Sequence, residues 1–169
     1  TDADGKSAGN VGVYATGGES AVTLIDTDIT VAGINGSGNY GVNAAANVSL
    51  NGNCTVQVQG SSSIGLLPQG GNITYTGEGG DVLDLSLAMS DASKQIDSVA
   101  MAALNGSITL SGTVTVGSAG MGVAVWAGEQ AQTGTRNSLT LERGSLTVET
   151  SRATALYVSG GDMHFAEGT

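Results

Sequence analysis

The chain holds few residues able to do chemistry, and their spacing assembles little from them. The single histidine, His164, sits between Met163 and Phe165. Alternate side chains of a strand face opposite ways, so apolar neighbours turned inward put this imidazole in solvent. A serine-histidine-aspartate relay or a histidine metal site needs an imidazole held by partners, which an outward strand position does not supply. The single cysteine, Cys54, shares parity with Val56 and Val58 and reads as a small buried residue. No basic residue stands near it in sequence to lower the thiol pKa, and one cysteine alone forms no internal disulfide. Carboxylates gather at Asp26 with Asp28, and at Glu78 with Asp81 and Asp84. Such groups can hold Ca²⁺, but at corners they equally serve as solvated turn formers. Asp2-Ala3-Asp4-Gly5 resembles the start of a calcium loop, yet Gly12 and Val13 stand where its closing glutamate belongs. The glycine pairs Gly17-Gly18, Gly70-Gly71 and Gly160-Gly161 open no helix with a Lys-Ser/Thr pair, so they read as corners rather than phosphate cradles. No catalytic residue, metal ligand or cofactor is therefore assigned.

Three surfaces remain as candidate sites. Thr23, Ser49, Thr74, Thr109 and Thr140 read as an outward hydroxyl ladder, and Thr30, Gln57, Ser86, Thr115 and Thr147 as a second. Threonine suits exposed strands in any case. The sharper reading is a flat, regular face that binds ice or glycan. Trp126 stands beside Glu129, Gln130, Thr133 and Arg136 and marks a possible partner-binding loop, since exposed Trp and Arg are enriched where proteins grip partners. The alternative is an indole folded over its own coil as packing.

The elements that would position these residues come from an internal repeat. Val11–Ala15, Tyr40–Ala44, Ile64–Pro68, Val99–Ala103, residues 121–125 and residues 154–158 each place mostly apolar residues first and third around Gly or Ala. A second segment follows: Val22-Thr23-Leu24, Val48-Ser49-Leu50, Ile73-Thr74-Tyr75, Ile108-Thr109-Leu110, Leu139-Thr140-Leu141 and Met163-His164-Phe165. A third follows most of these, as in Ile29-Thr30-Val31, Val56-Gln57-Val58, Leu85-Ser86-Leu87, Val114-Thr115-Val116 and Leu146-Thr147-Val148. The second segment recurs at roughly 25-residue intervals, lengthened by insertions near residues 88–98 and 127–137. Alternation puts equivalent aliphatic residues on one side, and stacked coils bury each column on the next. The expected fold is all-β, a right-handed single-stranded parallel β-helix with three sides and about six coils, spanning residues 1–169 as one segment. Gly, Asn and Asp supply the corners, with Asn51-Gly52 and Asn105-Gly106 as turn signals. The competing fold is an antiparallel sandwich or barrel, in which Leu139 to Val148 would form a hairpin around Arg143-Gly144.

Composition agrees with this reading. Gly is 28 against a single Pro, and only 12% of residues are charged, which leaves little for long amphipathic helices. The hydrophobic fraction of 40% argues for a packed core rather than a disordered chain. The net charge of −10 opposes binding to nucleic acid and to anionic membrane surfaces. No apolar run is long enough to span a membrane, and no insertion by this segment is expected. The chain starts and stops in mid-pattern, as an excerpt of a longer protein would.

The repeated Gly-Val-X-Ala, X-Val-Thr-Leu and X-Ile-Thr-Val segments resemble the passenger domains of Gram-negative autotransporters, the pertactin-like and related adhesins. The resemblance runs from about Val11 to Phe165 and consists of pattern and composition. It implies export to the cell surface or secretion, association with the outer membrane through parts outside this chain, and a β-helical stalk. The implied partners are a host-cell or matrix surface, glycan, or a second copy. Scarce cysteine fits a passage through the periplasm. The Arg-Gly-Asp tripeptide of some adhesins is absent; Arg143-Gly144-Ser145 stands in this chain. Polysaccharide lyases and hydrolases sharing the β-helix fold supply the alternative, but the Asn-Thr-Asp, Gly-His-Gly and Arg-Ile-Lys signatures of the pectin hydrolases are absent. The expected function is non-enzymatic, in adhesion, self-association or as a stalk.

Overall fold

The computed structural model describes residues 8–33, 35–88, 98–118, 123–130, 135–150 and 154–166. Among them every regular element is a strand. The first turns run β1 (Val11–Ala15), β2 (Ala21–Ile25), β3 (Asp28–Val31), β4 (Tyr40–Ala44), β5 (Asn47–Asn51), β6 (Cys54–Gln59), β7 (Ile64–Pro68), β8 (Ile73–Thr76) and β9 (Val82–Ala88). The later ones run β10 (Val99–Ala103), β11 (Ile108–Ser118), β12 (Val123–Gln130), β13 (Thr135–Arg136), β14 (Ser138–Thr150), β15 (Thr154–Ser159) and β16 (Asp162–Phe165).

Side one stacks β1, β4, β7, β10, β12 and β15, each parallel to the next. Side two stacks β2, β5, β8, the first half of β11, the first half of β14, and β16. Side three stacks β3, β6, β9 and the second halves of β11 and β14. The result is a β-solenoid of about four turns, with incompletely covered rungs at its two ends.

The columns expected on side two are present. Val22, Val48, Ile73, Ile108, Leu139 and Met163 are register partners, as are Leu24, Leu50, Tyr75, Leu110, Leu141 and Phe165. Leu50, Ile73, Ile108, Leu110 and Leu139 are wholly buried. Each column forms because β-branched and leucine side chains two residues apart share a face, and the rung above seals what the rung below exposes.

Three points left by the sequence are decided by the structure: the competing antiparallel fold is excluded, and two expectations are corrected. Leu139 to Val148 is not a hairpin: β14 is one strand, parallel to β11 throughout, bent where Gly144 (φ +96°) lies over Gly112 (φ +141°). Sides two and three are thereby one continuous sheet in these rungs. A Cβ on Gly144 would strike the Gly112 backbone, so this corner admits glycine alone. Second, the third segments do not stack as their patterns suggest. Thr115 pairs with Asp84 and Gly117 with Ser86, so Val114 lies on Leu83 rather than Leu85. β9 carries three inward leucines, Leu83, Leu85 and Leu87, and a period of two residues matches either pair equally. The shorter corner at Gly112 decides the register.

Third, the first and third residues of the side-one segments belong to different clusters. Val42, Leu66, Met101 and Val125 lie in the main core. Tyr40, Ile64, Val99 and Val123 instead gather with Leu67, Ala102, Leu104 and Trp126 in a second apolar cluster on the outer face. The residue between them explains the switch. A side chain at Gly41 would collide with Val56, and one at Gly12 with Ile29. Side one bends here and presses against side three, where there is room for Gly41, Gly65 and then Ala100 and Ala124.

Corners are tied by side-chain amides. Asn39 Oδ1 accepts from the backbone and side chain of Asn10 (3.1 Å each), while its Nδ2 donates to the Gln59 carbonyl at 2.7 Å. Asn137 accepts from the Gly106 N–H and donates to the carbonyls of Leu104 and Gly128. Backbone groups that turn away from the ladders are satisfied in this way.

Candidate functional site

Trp126 belongs to β12, whose end leaves the solenoid. It returns antiparallel as β13, with Glu129 opposite Arg136. This insertion is a hairpin laid against the following coil; its tip, residues 131–134 with Thr133, lies outside the described residues. The Arg136 guanidinium turns from Glu129 to Asp162, donating at 2.7 and 3.1 Å, and to the Gly161 carbonyl at 3.3 Å. Asn137 ties the hairpin base through its N–H to the Gly128 carbonyl at 3.2 Å. Glu129 remains exposed above Gly160.

Trp126 itself is half-buried. Its indole N–H donates to Ser159 Oγ at 2.9 Å, and its ring stands 5.7 Å from that of Tyr157 at a 58° tilt. Beneath it lie Leu67, Val99 and Ala102. The indole is thus anchored to its own coil on one side and reaches the surface beside Tyr157, which is 45% exposed. Trp126, Glu129 and Arg136 share one stretch of surface, but Tyr157 and Asp162 complete it. Nothing in the sequence marked these two beyond their place one coil later on the same sides.

The first hydroxyl ladder is continuous. Thr23, Ser49, Thr74, Thr109 and Thr140 are register partners in order, followed by His164. Thr74 Oγ1 donates to Ser49 Oγ at 3.1 Å. The second ladder is not a column. Thr30, Gln57 and Ser86 lead to Gly117, whereas Asp84, Thr115 and Thr147 follow Asp28 and Thr55. Thr115 Oγ1 donates to Asp84 at 3.1 Å, so this face mixes hydroxyls with carboxylates.

The acidic corner is occupied with turn bonding. Asp26 accepts from the Asn53 N–H at 2.9 Å, Asn53 Nδ2 donates to Asp81 at 3.0 Å, and Asp81 accepts from the Glu78 N–H at 3.1 Å. Asp26 takes φ +46°, a conformation that Asp tolerates at a turn. Glu78 lies 3.9 Å from Arg143 at the exposed rim. Among the described residues no three His, Cys, Asp or Glu side chains converge as metal ligands. Asp2 and Asp4, and residues 89–97 of the other insertion, lie outside the described residues.

Cys54 is buried, with its thiol 3.4 Å from the Asn51 carbonyl. His164 is exposed. Tyr75 is the residue whose chemistry the sequence hid. It stands in the leucine column, 1% exposed, and among the described residues its hydroxyl has no hydrogen-bond partner. Gly77 and Gly112 leave the room its ring needs. Burial, and then the neighbouring Asp81 carboxylate and Cys54 thiol, push its pKa up to about 12.

The first and last rungs carry the remaining feature. Among the described residues, Val11, Tyr14 and Ile25 in the first rung, and Leu156, Tyr157, Val158 and Phe165 in the last, are the large apolar residues left exposed. Leu141, Leu146, Val148, Ala155, Leu156 and Phe165 line an apolar cleft of about 330 Å³ in the last rungs. Comparison of the chain with family models, with curated proteins and with solved structures finds no match.

Proposed function

We propose that the chain is a non-enzymatic β-helical passenger segment of a bacterial surface-exposed or secreted protein, acting in adhesion, self-association or as a stalk. The winding is taken as right-handed, as parallel crossovers in one sheet nearly always are. One observation carries the reading: parallel pairing continues along each side, so outward residues far apart in sequence, such as Thr23, Ser49, Thr74, Thr109 and Thr140, form one surface. The surface at Trp126, Tyr157, Glu129 and Arg136 has the composition of a protein contact, with aromatic rings beside a fixed charge pair. A second reading, binding to glycan or another ordered surface, is favoured by the straight column from Thr23 to Thr140.

The test is binding of the labelled chain to mammalian cells, matrix proteins and a glycan array. Binding lost in Trp126→Ala/Tyr157→Ala, with the circular dichroism of the parent retained, supports the contact surface. Loss on Thr74→Leu/Thr109→Leu alone transfers the role to the hydroxyl column. Turnover of uronate polymers, abolished by Asp81→Ala, overturns the non-enzymatic reading.

A further inference from the structure

The corner between sides two and three changes size from rung to rung. After β8 it takes residues 77–81, whereas β11 and β14 pass the same corner as continuous strands bent at Gly112 and Gly144. The long turn overhangs the two short ones and leaves a cleft of about 500 Å³. Glycine backbone makes much of its lining, and Glu78, Asp81, Thr113 and Arg143 supply the side chains. Arg143 Nε donates to Ser111 Oγ, which holds the guanidinium at the rim. Its Nη2 stays 3.9 Å from Glu78 Oε1, beyond hydrogen-bond distance. Thr113 turns outward beside inward Val114, and its hydroxyl has no partner among the described residues. Asp81 differs, since its two oxygens already accept from Asn53 Nδ2 and from the Glu78 N–H. A second observation lies behind the inner wall. Tyr75 is 1% exposed, and its hydroxyl is the atom nearest to where a side chain on Gly77 would stand. Among the described residues that hydroxyl has no partner, so a buried donor is aimed at the cleft with a bare Cα between.

We propose that this cleft binds one ring of a neutral sugar. A hydroxyl donates and accepts at once. One sugar hydroxyl therefore accepts from Arg143 while donating to Glu78, bridging the 3.9 Å that separates them. Its neighbour on the ring meets Thr113. A ring oxygen seated beside Gly77 gives Tyr75 the acceptor it lacks, and an unmet buried donor is costly enough to favour that exchange. Asp81 has no oxygen left over for a metal ion, which sets the site apart from a calcium corner. Glu78 and Asp81, in a chain of net charge −10, repel uronate and sulfated sugars, so the ring is an uncharged one. The inference rests on the glycan reading above, but it places the ring at a corner rather than on the column from Thr23 to Thr140, so the two can fail separately.

The experiment titrates methyl glycosides of glucose, galactose, mannose and N-acetylglucosamine into the isotope-labelled chain and follows backbone amides by NMR, with glucuronate and Ca²⁺ in parallel. At least one neutral glycoside is expected to shift Gly79, Gly80, Gly112 and Thr113 saturably. Arg143→Met should weaken that binding about tenfold, the loss of one charge-assisted hydrogen bond. Tyr75→Phe should weaken it about threefold without loss of stability, so that misfolding does not account for the change. Thr74→Leu/Thr109→Leu should leave the cleft shifts as in the parent. The proposal is overturned if no neutral glycoside shifts these amides, or if affinity is unchanged in both Arg143→Met and Tyr75→Phe. Shifts confined to β5, β8 and the first half of β11 overturn it in favour of the hydroxyl column, with the glycan reading kept. Equal binding of glucuronate overturns the choice of an uncharged ring. Saturable shifts of the same amides with Ca²⁺ alone overturn it in favour of a cation.

Discussion

Leu50 and Leu24 stand in the same column, one rung apart, yet Leu50 is sealed and Leu24 is only partly covered. The sequence pattern around them is nearly the same. What differs is the number of neighbours along the axis: an interior rung is covered above and below, a terminal rung on one side only. Stability in a solenoid is thus a property of stacking, and the same leucine has a different worth at different heights. Among the described residues the interior rungs are sealed, and the first and last rungs are the more exposed ones.

The largest expected effect breaks that comparison directly. Leu50→Ala empties a sealed site and is expected to lower unfolding free energy by about 2–5 kcal/mol. Leu24→Ala should cost clearly less, because its site already opens to water. Urea denaturation of both variants checks this, and equal losses would remove the distinction between rungs. Next in size is the side-one bend. Gly41→Val drives a side chain into Val56 and should cost about 1–3 kcal/mol by overpacking. Gly18→Val, in open space at a corner, should be close to neutral by the same measurement.

Tyr75 sharpens the comparison inside the core. Removing an unpartnered buried hydroxyl, Tyr75→Phe should raise stability by about 1 kcal/mol at neutral pH. Its ordinary pKa near 10 applies when unfolded, and about 12 when folded, so the folded state retains its proton longer. Below pH 10 the group contributes no pH dependence. Between about pH 10 and 12 the unfolded chain loses a proton that the folded chain keeps, so parent stability falls as pH rises. Parallel denaturation series should show a shallower alkaline decline in Tyr75→Phe. The smallest effect belongs to the hairpin. Arg136→Ala removes a largely exposed ion pair with Asp162, for an expected loss under about 1 kcal/mol. Its readout is hydrogen exchange at Glu129 and Asn137, which should quicken while β5 and β8 stay protected.

The sequence by itself determined the class of fold and the side-two columns. Val48, Ile73 and Ile108 needed only the two-residue alternation of strands and a repeating apolar pattern to be placed on one another. It also determined that Cys54 turns inward and His164 outward, since parity alone decides these. The tertiary structure decided what parity leaves open. The register of Val114 on Leu83 followed from the length of a corner, because a period of two cannot tell a strand from itself shifted by two residues. The outward turn of Tyr40 followed from how closely side three approaches Gly41, and at Gly65 the Ala100 backbone of the next rung leaves no room for a side chain. The surface at Trp126 followed from stacking, which brings Tyr157, Ser159 and Asp162 beneath a hairpin written a full coil earlier. In each case the deciding quantity was a distance between turns, and such distances exist only after the chain has wound.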